Sequence, residues 1–449
     1  MPPAPTIHQA AREIPVCHEC DVCVIGGSCT GVFAAVRAAR LGARVAIVER
    51  QNCFGGVATC GLVNVWHRLH DTQNELQIIG GMTEEIIDRL RRRGAVEQDP
   101  GSVSSAFRLN TEELKLELDE LICAAGVRPF LHALATTAHT EDGRLDAVIT
   151  ESKSGCRAIR ARVFIDATGD GDIVARAGVE TWSAPHPQPA TAAARFAGWD
   201  MPAGFRLGAA LREHGPALGL PEGFVWGARV PGTDEYMLAG TRVYELDPTD
   251  ADSLTEAEME GRRQVRAVVE ALRQAGVDDP PALTALPSAL GLRESRHIVA
   301  RYRLTGDDVL RGRRFPDAIA NGTYPADVHH HDRPGITFRH LDGTEVISRP
   351  GHPQEHGRWR DPSDVDPTFY QVPYDSLVPH DAGNVLATGR ILDADEVAFG
   401  AVRVMVNCNQ MGEAAGVGAY LALEGGTSVG DVDTAALRRA LADGGSIVL

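Results

Sequence analysis

The stretch Asp21 to Arg50, DVCVIGGSCTGVFAAVRAARLGARVAIVER, constrains the fold more than any other part of the chain. Asp21 to Ile25 is a largely apolar run of strand length, and GGSCTG follows at once and opens a helix of about a dozen residues. Ala34, Ala35, Ala38 and Ala39 let that helix lie close against a sheet, and Gly42 stops it. A second strand, Arg44 to Val48, ends in Glu49, 18 positions after Gly31. This order of strand, glycine turn, helix, strand and terminal acid is a βαβ unit suited to a dinucleotide. Gly26 permits the tight turn out of the strand, and the amides of Gly27 and Ser28 can approach a pyrophosphate. The helix end at Cys29, Thr30 and Gly31 adds partial positive charge. Glu49 suits the ribose hydroxyls and would repel a 2′-phosphate. The middle glycine of the G-x-G-x-x-G pattern is Ser28, a residue small enough to read as a variant.

Further along, Arg50 to Gly61 is rich in small residues, with Gly55, Gly56, Ala58 and Thr59 letting backbone run close to a flat ligand. Periodicity predicts helices over Gly80 to Arg93 and Thr111 to Gly126. Three strands follow, Arg128 to Thr137, Leu145 to Thr150 and Arg157 to Ile165, an antiparallel meander leading into DATGDGD at 166–172. From residue 182 the texture changes: proline, glycine and aromatic residues become more frequent and the βα alternation disappears. Within this stretch Glu256 to Gly276 reads as a helix and Leu292 to Val299 as a strand. Regular structure returns with a strand at Val385 to Arg390, a long helical region from Phe399 through Leu423, and a last helix at Thr434 to Asp443. The expected fold class is α/β. A discontinuous Rossmann-like domain over 1–181 and 380–449, carrying the meander, is interrupted by an inserted α+β substrate or cap domain at 182–379.

A net charge of -17 without basic runs argues against a nucleic-acid partner. No apolar run reaches the length of a membrane span, and Met1 to Val16 has no apolar core of a signal peptide, so a cytoplasmic protein is expected. Nine cysteines suit free thiols; Cys17, Cys20 and Cys23 read better as chance thiols than as ligands, and no metal site is expected. Lysine occurs twice, at Lys115 and Lys153, and neither follows a glycine, which leaves no P-loop and makes Schiff-base chemistry a poor fit.

Taken together, GGSCTG with Glu49, FGGVAT at 54–59, DATGDGD, LRESR at 292–296, the long motif at 304–330, VPYDSLVP at 372–379 and TGRILDADEVAFGAVRVMVNCNQMGEAAG at 388–416 resemble the FAD-dependent oxidoreductases of the two-dinucleotide-binding type. The resemblance covers nearly the whole chain and implies one discontinuous flavin domain with non-covalent FAD. It places Gly26 to Gly31, Glu49 and Arg50 on the ADP half, with the adenine against the backbone of Ala135. Ala167, Thr168, Gly169 and Asp170 then fall near the pyrophosphate and Gly389 and Arg390 near the ribityl chain. Gly412, Glu413 and Ala414 would stand at a helix N-terminus facing the flavin O2 edge.

A flavin oxidising a C–H bond needs a proton acceptor and charge-stabilising donors beside the substrate. The candidates are His329, Arg293, Tyr374 and Arg403, with Arg296, Tyr324, His330 and His331 as further polar groups. The resemblance puts His329 on the flavin's substrate face. His67 and His70 could reach the ring or carry it covalently, although buried structural roles suit them better. The expected function is hydride removal from a small or medium polar molecule, with oxygen or another acceptor taking the electrons, in a monomer or homo-oligomer. Two alternatives stay open: isomerisation or elimination without net oxidation, and a flavin-binding electron-transfer subunit.

Overall fold

The computed structural model describes residues 5–8, 10–99, 106–222, 225–349, 351–381 and 383–449; residues 1–4 and 9 of the N-terminal stretch read for a leader lie outside it. Its organising strand is β1 (Val16–Ile25), whose Val22, Cys23 and Val24 are fully buried. A strand buried on both faces belongs inside a parallel sheet. β1 pairs in parallel with β2 (Val45–Val48), and β2 with β3 (Arg128–Phe130). On its other side β1 pairs with a long strand, β6 (Gly155–Asp166). The first half of β6 pairs antiparallel with β5 (Arg144–Ser152), which pairs with β4 (Ala133–Glu141). The end of β6 pairs in parallel with β7 (Val385–Ala387), so the C-terminal part of the chain returns to the same sheet.

The meander was expected to begin with one strand over 128–137. There are two, because His132 takes a φ of 54° and ends the first. Arg128–Phe130 joins the parallel side and only Ala133–Glu141 joins the meander.

Three helices matter for the site. α1 (Cys29–Arg40) starts at Ser28, whose side chain accepts from Gly31 N. The single helical region expected from Phe399 is two helices, α2 (Glu396–Val402) and α3 (Met405–Gly425), separated where Val404 adopts an extended ψ of 148°. α3 crosses α1 so closely that a Cβ on Gly412 would strike the Thr30 carbonyl and one on Gly416 the Ala34 carbonyl.

The hydrophobic core around these helices also takes in Leu304, Val309, Phe315, Tyr370 and Leu377. A separate cluster, with Ala192, Phe196, Leu238, Val265 and Val268, lies between the helix Ala251–Gln274 and a four-stranded sheet ordered Trp226–Arg229, Glu235–Ala239, Ala193–Ala197, Ala282–Ala285. A second antiparallel sheet runs from Ala326–His329 through Ile336–Arg339 and Thr344–Ser348 to Glu355–Arg358. The strand expected over 292–299 is shorter, Arg296–Ile298, and pairs with Thr181–Ser183.

Candidate functional site

Where β1, β2, β6 and β7 end, their loops enclose a groove. It is lined by Gly26, Ser28, Cys29 and Thr30 from the first turn, Glu49 and Arg50 after β2, and Gly55 and Gly56 from the next loop. Ala167, Thr168, Gly169 and Asp170 after β6 and Gly389 and Arg390 after β7 complete the opposite wall. The glycine at 26 is required: its φ is 102°, and a Cβ would collide with the Ala167 carbonyl. Glu49 accepts from Gly27 N at 2.6 Å and from Gln51 N at 2.7 Å, so its carboxylate ties the two loops of the groove together. Asp170 lies 3.3 Å from Arg390 Nη2 and 3.7 Å from Arg50 Nη2, closing the groove at its other side. Asp166, fully buried, accepts from Thr168 N and Oγ1 and from Ile173 N and Val174 N, which sets the ATGDG turn; burial raises its pKa.

Four expected contacts stand behind the groove instead of lining it. Gly27 packs against Phe54, Gly31 against the Gly26 carbonyl, Ala58 is core, and Thr59 Oγ1 donates to Phe54 O at 2.7 Å. Others lie elsewhere. The Ala135 carbonyl accepts from Arg176 Nη1 at 2.8 Å, outside the groove lining. Gly412, Glu413 and Ala414 sit in the middle of α3, not at a helix N-terminus, because the helix begins seven residues before Gly412, at Met405. Gly412 serves the crossing with α1, and Glu413 accepts from Met82 N at 3.1 Å and Ser446 Oγ at 3.0 Å. The residues that α3 presents to the groove are Met405, Cys408 and Asn409. They lie within the sequence stretch that carried the resemblance, and an apolar run gives no sign that Val404 interrupts it.

Val57, Gly291, Leu292, Arg390, Arg403 and Met405 border both the groove and a cavity of about 1240 Å³, making them one continuous space. Arg293, His329 and Arg403 line this cavity. Asp327, which the sequence did not single out, holds His329 and Arg403. Its Oδ1 lies 3.1 Å from Arg403 Nη2 and 3.3 Å from His329 Nε2, and its Oδ2 accepts from the Tyr324 hydroxyl at 2.8 Å. His329 is 5 % exposed, and its Nδ1 has no hydrogen-bond partner among the described residues. Burial, then the charges of Arg293, Arg242 and Arg403, hold its pKa well below the usual histidine range, so it is neutral at pH 7. His67 packs against Tyr324 with ring centres 4.1 Å apart and planes tilted by 33°, and burial pulls its pKa down to about 3.

Tyr374 does not reach this space. It is 1 % exposed in the core, donates to Val429 O at 3.0 Å and packs against Gly418, so its expected catalytic role does not fit its place. Arg296 pairs with Asp172 at 2.9 Å, His330 bonds Thr337 Oγ1 at 2.7 Å, and His331 stacks on His186. Cys60 borders the groove with its Sγ 3.8 Å from that of Cys53, a contact that lowers its pKa to about 6.

Several buried polar atoms at the groove lack partners among the described residues: both side-chain heteroatoms of Asn409, Thr388 Oγ1 and Arg390 Nη1. Buried polar groups are normally satisfied. A flavin ring and its phosphate chain offer the acceptors and donors these atoms want, so the residues present fit FAD. Among the described residues no helix is long and apolar enough to cross a membrane.

A search of curated proteins finds no match to this sequence. Among solved structures the chain is similar to a geranylgeranyl bacteriochlorophyll reductase-like protein from Thermoplasma acidophilum, at 13 % identity and a TM-score of 0.48 over 94 % of this chain and 82 % of that one. It is also similar to the myxobacterial chondrochloren halogenase, at 12 % identity and a TM-score of 0.45 over 94 % and 79 %. A p-nitrophenol 4-monooxygenase from Pseudomonas putida matches at 13 % identity and a TM-score of 0.39 over 64 % and 71 %. The profile of FAD dependent oxidoreductases matches residues 21–441, nearly the whole sequence, and the chain belongs to that family.

Proposed function

We propose that the protein is a dehydrogenase or oxidase that removes hydride from a small or medium polar organic molecule held in the cavity of about 1240 Å³. The observation that carries this reading is His329, a neutral imidazole in the lining of a cavity continuous with the groove. Bound FAD supplies the hydride acceptor. Its pyrophosphate would lie along Gly26, Ser28 and the 167–170 turn, its ribose at Glu49, and its ring against Arg390, Met405 and Asn409. In this reading residues 182–379 contribute most of the substrate side.

In this reading the His329 imidazole takes the substrate's O–H or N–H proton, and the Asp327 carboxylate, 3.3 Å from Nε2, stabilises the positive charge the ring gains. Arg403, 12 % exposed and held by Asp327, stabilises negative charge as that proton leaves. Oxygen or another acceptor then takes the electrons.

The test is anaerobic mixing of the FAD-loaded protein with candidate alcohols and amines. Flavin absorbance is expected to bleach, and His329→Gln is expected to slow bleaching by about 100-fold or more while FAD content is kept. Turnover without acceptor and without bleaching would overturn the oxidation and favour isomerisation or elimination.

A further inference from the structure

Positive charge gathers at the wall of the cavity, where Arg293 and Arg403 line it and Arg242 is buried outside the lining, and carboxylates among the described residues do not balance it. Arg242, 2 % exposed, donates from Nη1 to Thr241 O at 2.6 Å and to Thr191 Oγ1 at 3.2 Å, while its Nη2 has no partner among the described residues. Arg293 Nη1 donates to that same Thr191 hydroxyl at 2.8 Å and to the Pro189 carbonyl. Two guanidinium groups therefore share one neutral hydroxyl. Neither lies within ion-pair distance of a carboxylate among the described residues. Arg403 stands with them, and their mutual field depresses the Arg293 pKa after burial itself. Against these three cations the cluster holds one carboxylate, Asp327, already engaged with Arg403 and Tyr324.

Burying like charges beside each other without counter-ions is costly, and the cost is removed when an anion arrives. The surplus is local, since the chain as a whole is strongly acidic, with a net charge of -17. Among the described residues, no protein partner uses Arg293 Nε or Nη2, and Arg293 lines the cavity. A planar guanidinium with one edge unused matches the two oxygens of a carboxylate. Resting on the proposed placing of substrate in the cavity, we propose that the substrate is an organic carboxylate, its carboxyl group received by the free edge of Arg293 with Arg242 behind it. The reacting carbon then lies on the side of His329.

Binding without turnover tests this. FAD-loaded protein is titrated with acetate, hexanoate and benzoate and with the matching amides, following the flavin difference spectrum and the melting temperature. At least one carboxylate is expected to bind saturably where its amide does not, and Arg293→Met is expected to weaken that binding roughly tenfold or more. Arg293→Lys, which keeps charge but not the fork, is expected to restore part of it. Carboxylates and amides that bind alike, or an Arg293→Met protein that keeps FAD, melts normally and binds as before, would overturn the assignment. Preference for inorganic phosphate or methanesulfonate would overturn the carboxylate class. Because flavin reduction is not read, a protein that binds carboxylates but never bleaches sinks the oxidation reading alone.

Discussion

Glu413 places a carboxyl where water does not reach it, fully buried on α3. Burial is the main reason its pKa rises to about 7, opposed by Arg37, whose Nε is 3.9 Å away, and by the bonds from Met82 N and Ser446 Oγ. In the unfolded chain a glutamate titrates near 4.3. Between the two values the folded state holds the extra proton, so stability is complete below the unfolded pKa and falls as pH rises toward 7. Glu413→Gln keeps the acceptor for Met82 and abolishes the titration. Its stability in urea relative to the natural protein is expected to improve by about 1–3 kcal/mol between pH 5 and pH 8, and an unchanged difference across that range would refute it. Glu49 poses a separate question. It binds Gly27 and Gln51 amides across the groove, and Glu49→Ala is expected to weaken FAD binding about tenfold or more, read by titration of the apoprotein.

Among the elements, the α1 and α3 crossing depends on contacts without side chains. An added Cβ at Gly416 would strike the Ala34 carbonyl oxygen and come within 3.0 Å of its carbon, and backbone on both sides leaves little room to give. Gly416→Ala is expected to cost about 1–3 kcal/mol, seen as a lower melting temperature with FAD still bound. The βαβ unit was readable because its signals are local: apolar period, glycine turn and a terminal acid within thirty residues. The same locality explains the failures. His132 splits a strand through its own backbone angle, and Val404 breaks a helix that its apolar neighbours would continue, so Glu413 was assigned to an end it does not occupy. Asp327 was missed because its importance comes from Arg403, 76 positions away, and not from a pattern of its own. Tyr374 was over-read for the converse reason: a hydroxyl in a motif is silent about the Val429 carbonyl that uses it.

At the scale of the molecule, the groove joins residues from Gly26 to Asn409, so FAD binds the folded arrangement and not any single segment. FAD at 100 times its dissociation constant is expected to raise stability by about 2.7 kcal/mol, visible as an upward shift in melting that Glu49→Ala lessens at the same FAD concentration. The pairing of β7 with Phe164, Ile165 and Asp166 has a consequence for synthesis. Until Val385 to Ala387 has left the ribosome, the buried end of β6 is an open edge, a template for another strand. Nascent chains are thus exposed to mispairing while residues 167–387 are made, about half of their translation, before any cofactor can protect them. Demand for a chaperone should therefore fall on the elongating chain, and surplus FAD in the cell should rescue completed molecules but not stalled ones.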